Sequence, residues 1–177
     1  MEPLDEGPWT PGPEDFGEVY DRYFTRVYNY VRYRVGEAAA ADDITSAVFE
    51  RLLDKLSGFR PEKGSFETWL FAVARNAVSD HFRPRFWRRW LSLEDIPERP
   101  SEDRPVDAVL AEEESRRELL DAVGRLGERE REILALKYGA GMTHRAIAEH
   151  AGLSEGNVGV IVYRAVKKLQ GVMKGEP

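Results

Sequence analysis

From Phe16 onward apolar side chains recur every three to four residues, at Val19, Tyr20, Tyr23, Val27, Tyr30 and Val31, with Arg22, Arg26 and Arg32 between them. This spacing predicts an amphipathic helix ending near Gly36. A second stripe, Ile44, Val48, Phe49, Leu52, Leu53 and Leu56, predicts a second helix, which Gly58 terminates and whose outward face carries Asp42, Asp43, Glu50 and Asp54. After the turn-like residues 60–65 a third runs from Phe66 through Trp69, Leu70, Val73, Ala77 and Val78 to Arg83, where Pro84 stops it. Trp69 belongs to the buried stripe with Phe66, Leu70 and Val73. Helical spacing returns at Val109 and continues through Leu119, Leu120, Val123 and Leu126. A further helix carries Ile133, Leu134 and Leu136 to Tyr138, and Gly139, Ala140 and Gly141 break it. No strand-period alternation occurs, so the fold class is all-α.

Between the two sets of helices, residues 91–106 repeat proline (Pro97, Pro100, Pro105) among Glu, Asp and Arg, with few apolar residues to bury. Such a segment is a linker. A chain of 177 residues then divides into two small helical domains on a flexible acidic tether, each with a modest core. Residues 1–14 hold Pro3, Pro8, Pro11 and Pro13 and lack the basic start and apolar core of a secretory signal. They are expected to form a disordered arm, and the protein to be cytoplasmic. No apolar run is long enough to cross a bilayer, so membrane insertion is not expected.

With no cysteine, disulfides, thiolate zinc sites and cysteine nucleophiles are excluded. His144 and His150 are six residues apart and face different sides of a helix, and His81 is distant, so these are expected as surface or capping histidines and no metal or cofactor is expected. No glycine-rich phosphate loop or histidine-assisted nucleophile is present, which argues against an enzyme. The net charge of −6 argues against a protein that coats nucleic acid through overall charge. That charge is unevenly distributed, however: Arg75, Arg83, Arg85, Arg88 and Arg89 stand against the single acid Asp80, and residues 94–118 are dominated by acids. A local basic patch can therefore still meet nucleic acid. Within it, residues 82–91 interleave arginines with aromatics, a composition suited to stacking on single-stranded bases, and equally to a membrane interface or a protein partner.

Residues 143–161, THRAIAEHAGLSEGNVGVI, fit a helix-turn-helix. Ala148 is small where two steeply crossed helices touch, and Gly152 tolerates the positive φ of the turn. Ile147, Ala151, Leu153, Val158 and Ile161 supply buried contacts, and Ser154 caps the second helix. That helix would enter the major groove, offering Glu155, Asn157 and Arg164 to bases or phosphates. An ordinary helical hairpin is the bland alternative, and many repressors share the motif.

Residues 41–52, ADDITSAVFERL, followed by residues 66–83, FETWLFAVARNAVSDHFR, resemble sigma region 2; residues 126–138, LGEREREILALKY, with the helix-turn-helix resemble sigma region 4. The order, the single acidic linker and the lack of room for a folded region 3 are similar to the extracytoplasmic-function group of sigma-70 factors. The resemblance implies region 2 over 15–90, a linker over 91–107 and region 4 over 108–174. It implies core RNA polymerase contacts at Asp42, Asp43, Thr45, Ser46, Phe49 and Glu50, although an aromatic at helical spacing such as Phe49 is more often core. It implies contact with the minus-10 element at Arg75, Asn76, Asp80 and Arg83, and with the minus-35 element at Arg145, Ser154, Glu155, Asn157, Arg164, Lys167 and Lys168. Its partners would be core polymerase, promoter DNA and an anti-sigma factor. One departure from the family is that Gly159 and Val160 stand where relatives often carry a cation, with Gly156 a turn earlier. Interior glycine costs about 1 kcal/mol relative to alanine, so a soft recognition helix is expected. A rival reading is a polymerase-independent helix-turn-helix regulator, which would normally dimerise to supply a second recognition helix.

Overall fold

The computed structural model describes residues 10–83 and 106–174, with side chains of the second stretch described from residue 114. Three helices form the first group: α1 (Phe16–Val35), α2 (Ala38–Lys55) and α3 (Phe66–Phe82). Four form the second: α4 (Val106–Gly124), α5 (Glu128–Leu134), α6 (His144–Ala151) and α7 (Glu155–Met173). No strand occurs among the described residues, as the hydrophobic periodicity predicts.

Helix boundaries follow local chemistry. Gly36 at φ 78° closes α1 by donating its N–H to the Arg32 carbonyl, a conformation that costs glycine little. Ser65 caps α3 by accepting the Thr68 N–H, and α3 ends two residues before Pro84. The expected arm is ordered at its end: Pro13–Asp15 make a 3-10 turn, and the Gly12 N–H donates to the Asp15 carboxylate at 2.8 Å. Residues 1–9 of that arm, the segment 84–91 and the linker up to residue 105 lie outside the described residues. The last two positions of the expected linker, Val106 and Asp107, are already helical.

In the first group Val27, Tyr30 and Val31 of α1 bury with Val48 and Leu52 of α2 and Leu70, Phe71 and Ala74 of α3. The two helical groups lie against each other. One continuous core joins them, in which α1 packs on the segment after α5, and α3 on α6. After α5 the chain widens into a π-helical turn, Ala135–Gly139, closed by the Ala140 N–H donating to the Ala135 carbonyl at 2.9 Å. The sequence predicts a simple helix end here. The structure shows the purpose of its glycine: a Cβ on Gly139 would stand 2.8 Å from the Tyr30 nitrogen and 2.9 Å from its Cα.

Polar groups specify the same contact. Arg34, 6% exposed, bonds the Glu132 carboxylate at 3.0 Å and the Glu128 carbonyl at 3.3 Å. The Tyr30 hydroxyl donates to Glu132, Arg26 Nε donates to the Ala140 carbonyl, and Arg26 also pairs with Glu67. A buried ion pair contributes little net stability, because desolvation offsets its Coulomb energy, yet it penalises any arrangement that leaves one partner alone. Burial, and then the Glu132 charge beside it, hold the Tyr30 hydroxyl pKa well above its ordinary value.

Candidate nucleic-acid interface

The helix-turn-helix forms as its restricted residues demand. Thr143 caps α6 by accepting the Ala146 N–H at 3.1 Å, and Ser154 caps α7 by accepting the Asn157 N–H at 3.2 Å. Gly152 takes the left-handed conformation, φ 65° and ψ 39°, that makes the turn between them. Ile147, Ala148, Val158, Val162 and Ala165 are buried, fixing α7 so that its opposite face looks outward. Gly159 sits near the His144 ring, and an added Cβ would make only ordinary contact with it at 3.9 Å.

Arg145, Glu155, Asn157, Arg164 and Lys167 are exposed on this unit. The Ser154 hydroxyl is occupied by its cap. The Lys168 ammonium lies 2.7 Å from the Glu130 carboxylate and ties α7 to α5, which sets it apart from the outward cations. Two residues that periodicity alone does not pick out share the outward face: Val160, 46% exposed, and Tyr163, 64% exposed with the Lys167 ammonium 5.9 Å from its ring centre.

On α3 the four expected residues are exposed but divide between two edges. Asn76, Asp80 and Arg83 share one edge, where Asp80 bonds Arg51 of α2 at 3.0 Å and Arg83 at 3.4 Å. Arg75 lines a cleft of about 440 Å³ between the two helical groups, together with Arg34, Arg129, Glu132, Ala151 and Leu153. Beside it, His150 is half-buried rather than a surface or capping group, with Nδ1 3.3 Å from the Thr68 carbonyl. Burial, reinforced by the Arg75 charge, lowers its pKa below the ordinary imidazole value, outweighing the Glu132 carboxylate and the Thr68 carbonyl.

On the outward face of α2, Asp42, Asp43 and Glu50 are exposed and Ser46 is partly buried. Thr45 and Phe49 are not on it. Thr45 is 1% exposed, and Phe49 is enclosed by Tyr20 and Phe24, its ring centre 4.9 and 5.8 Å from theirs. Their i and i+4 spacing puts both on the buried side of α2, where Phe49 meets α1. Leu53, 55% exposed, follows Ser46 and Glu50 on the acidic stripe. Its membership of an apolar run hid it among core positions. Among the described residues no cluster of His, Asp and Glu could hold a metal ion, and no helix is long and apolar enough to cross a membrane.

Two family models match the chain: Sigma-70 region 2 over residues 19–88, and Sigma-70, region 4 over residues 116–169. The chain is 37% identical over 155 residues to the ECF RNA polymerase sigma factor BldN of Streptomyces coelicolor, covering 87% of this chain and 58% of that relative. It is 27% identical to the ECF RNA polymerase sigma factor SigL of Mycobacterium tuberculosis, covering 86% and 85% of the two chains. Among solved structures it resembles CnrH in complex with the cytosolic domain of CnrY, at TM-score 0.65 and 22% identity over 93% of this chain and 90% of that one. The sigma factor RpoE of Bartonella quintana, solved with the anti-sigma factor NepR, matches at TM-score 0.66 and 18% identity over 93% and 99%. At these identities the two structures speak for the fold alone.

Proposed function

Because the chain belongs to the extracytoplasmic-function group of the sigma-70 family, we propose that it binds core RNA polymerase and directs it to promoters carrying its own minus-10 and minus-35 elements. The observation that carries this reading is the co-occurrence, in family order, of a region 2 match and a region 4 match that contains a capped helix-turn-helix with exposed cations. The functional units are region 2 over 15–90, the acidic linker from 91 to the start of α4 at Val106, and region 4 from there to 174. The protein acts in the cytoplasm, as a specificity subunit rather than an enzyme.

Polymerase docks on the outward face of α2. Asp42, Asp43 and Glu50 meet a basic partner helix, Ser46 supports them, and Leu53 supplies the apolar centre that a polar rim encloses. Thr45 and Phe49 shape α2 from within. On α3, Asn76 reads a base edge and Arg83 serves phosphates, while Asp80 is oriented by Arg51 and Arg83. Asn157 and Glu155 face bases at the start of α7, with Arg145, Arg164 and Lys167 on the phosphates.

The closed packing of the two groups bears on how this is done. Arg75 is exposed at the mouth of the inter-group cleft, and separation of region 4 from α3 would open its surroundings to DNA. Polymerase holds the separated groups at promoter spacing, and two individually weak DNA contacts gain through effective concentration. An anti-sigma factor acts on this equilibrium by binding surfaces that polymerase uses. The test is a binding assay with labelled core polymerase and promoter DNA. The full chain is expected to bind DNA specifically only with core present; tight specific binding by the free chain overturns the reading.

A further inference from the structure

We propose that Val160 and Tyr163, above the bare backbone at Gly156, read thymine methyl groups in the major groove of the minus-35 element. The proposal rests on the sigma-factor reading and adds to it the chemistry by which α7 chooses bases. At 100° per residue, Gly156, Val160, Tyr163 and Lys167 form one stripe, diametrically opposite the buried Val158, Val162 and Ala165. This is the line of α7 that stands furthest out from the protein.

An isolated exposed apolar residue needs no explanation. Here two fall on one line, in the helix that a helix-turn-helix inserts into the groove, with Arg164 beside them and Lys167 at the end of the line as phosphate partners. Gly156 points the same way independently. A Cβ at this position would meet nothing within 4 Å, and its φ lies outside the left-handed region, so the fold gives no reason for glycine. Gly156 stands in the first turn of α7, where glycine is still less favourable for the helix than alanine, though by less than the interior value of about 1 kcal/mol. A function that needs the backbone close to another surface accounts for that cost.

The chemistry then selects the occupant. The stripe offers neither the guanidinium nor the ammonium that reads guanine until Lys167, two turns from Val160. Val160 has only methyl groups, and the one apolar feature of a base edge in the major groove is the thymine C5-methyl. The Tyr163 ring, with the Lys167 ammonium beside it, extends the apolar surface toward the next base step.

The test uses holoenzyme assembled from core polymerase and the full chain, on a promoter that it transcribes. Each thymine of the minus-35 element is replaced singly by deoxyuridine, which removes only the methyl group, and promoter occupancy is titrated. At one or two positions deoxyuridine is expected to weaken occupancy about fourfold, the factor for one buried methyl. Val160→Ala is expected to weaken it similarly and to respond no further to deoxyuridine at the same position, a non-additivity that marks direct contact. Gly156→Ala is expected to raise the melting temperature while lowering occupancy. Equal occupancy of thymine and deoxyuridine templates by the parent overturns the proposal. So does a Val160→Ala defect that leaves the deoxyuridine response intact, which assigns the stripe to a protein partner instead. Failure of the underlying reading is distinct and takes both down: no start site then depends on any minus-35 sequence.

Discussion

Substituting Gly139 by alanine probes the contact that joins the two helical groups. The new Cβ would stand 2.8 Å from Tyr30 N, 2.9 Å from Tyr30 Cα and 3.0 Å from the Asn29 carbonyl carbon, all backbone atoms of α1. Ordinary carbon contacts lie at about 3.5–4.0 Å, so the π-helical turn must retreat by several tenths of an ångström. Helix α1 cannot yield without breaking its own hydrogen-bond ladder. Retreat stretches the Arg26 bond to the Ala140 carbonyl and the Glu132 bonds to Tyr30 and Arg34. Overpacking of this kind costs about 1–3 kcal/mol, and a protein of this size loses about 2–4 °C of melting temperature per kcal/mol. Gly17→Ala is the matched control: it is exposed on α1, its Cβ would meet nothing within 4 Å, and it should be neutral or slightly stabilising. Thermal melts with small-angle scattering provide the assay. Gly139→Ala should melt lower and scatter with a larger radius, helical content unchanged. A melting temperature and radius equal to those of the parent would refute the claim that this glycine sets the approach of the two groups.

Arg34→Met should destabilise by about 3 kcal/mol in urea melts, because Glu132, 15% exposed, keeps its charge without its guanidinium; Arg34→Met with Glu132→Leu should recover most of that loss. His150 protonates more readily in the unfolded chain than in the fold, so stability should fall as pH drops below the ordinary imidazole pKa near 6.5 and be insensitive to this group above it. His150→Gln should flatten that part of a stability-versus-pH curve. Leu53→Ala should weaken core polymerase binding about tenfold while leaving the melting temperature within ~1 °C, checked by fluorescence titration. Asn76→Ala should slow promoter opening with core binding intact, read by permanganate footprinting.

Much of this architecture is legible in the sequence because small helices are written in local signals. The stripes of α1 to α3, the stop before Pro84, the Ser154 cap and the Gly152 turn each depend on a few neighbouring residues. What local signals do not carry is tertiary. Phe49 and Thr45 share a helix with the acidic face, and only the packing of the neighbouring helices decides that they turn inward. Arg75 is one residue from Asn76, yet that step is 100° of rotation and puts the two on different edges. The contact between the groups is specified in part by Arg34 and Glu132, charged residues that any pattern assigns to solvent. Gly139 has the sequence signature of a helix breaker, and its function is proximity to a helix more than one hundred positions away.

The measurement that tests the central claim most directly is in vitro transcription from a pool of genomic promoters with purified core polymerase, with and without this protein. Start sites that appear only in its presence, share minus-10 and minus-35 elements, and are lost when α2 is altered at Asp43 and Glu50 are the predicted result. The contradicting result is an unchanged set of transcripts together with no binding to core polymerase, which would place the chain among regulators that act on DNA alone.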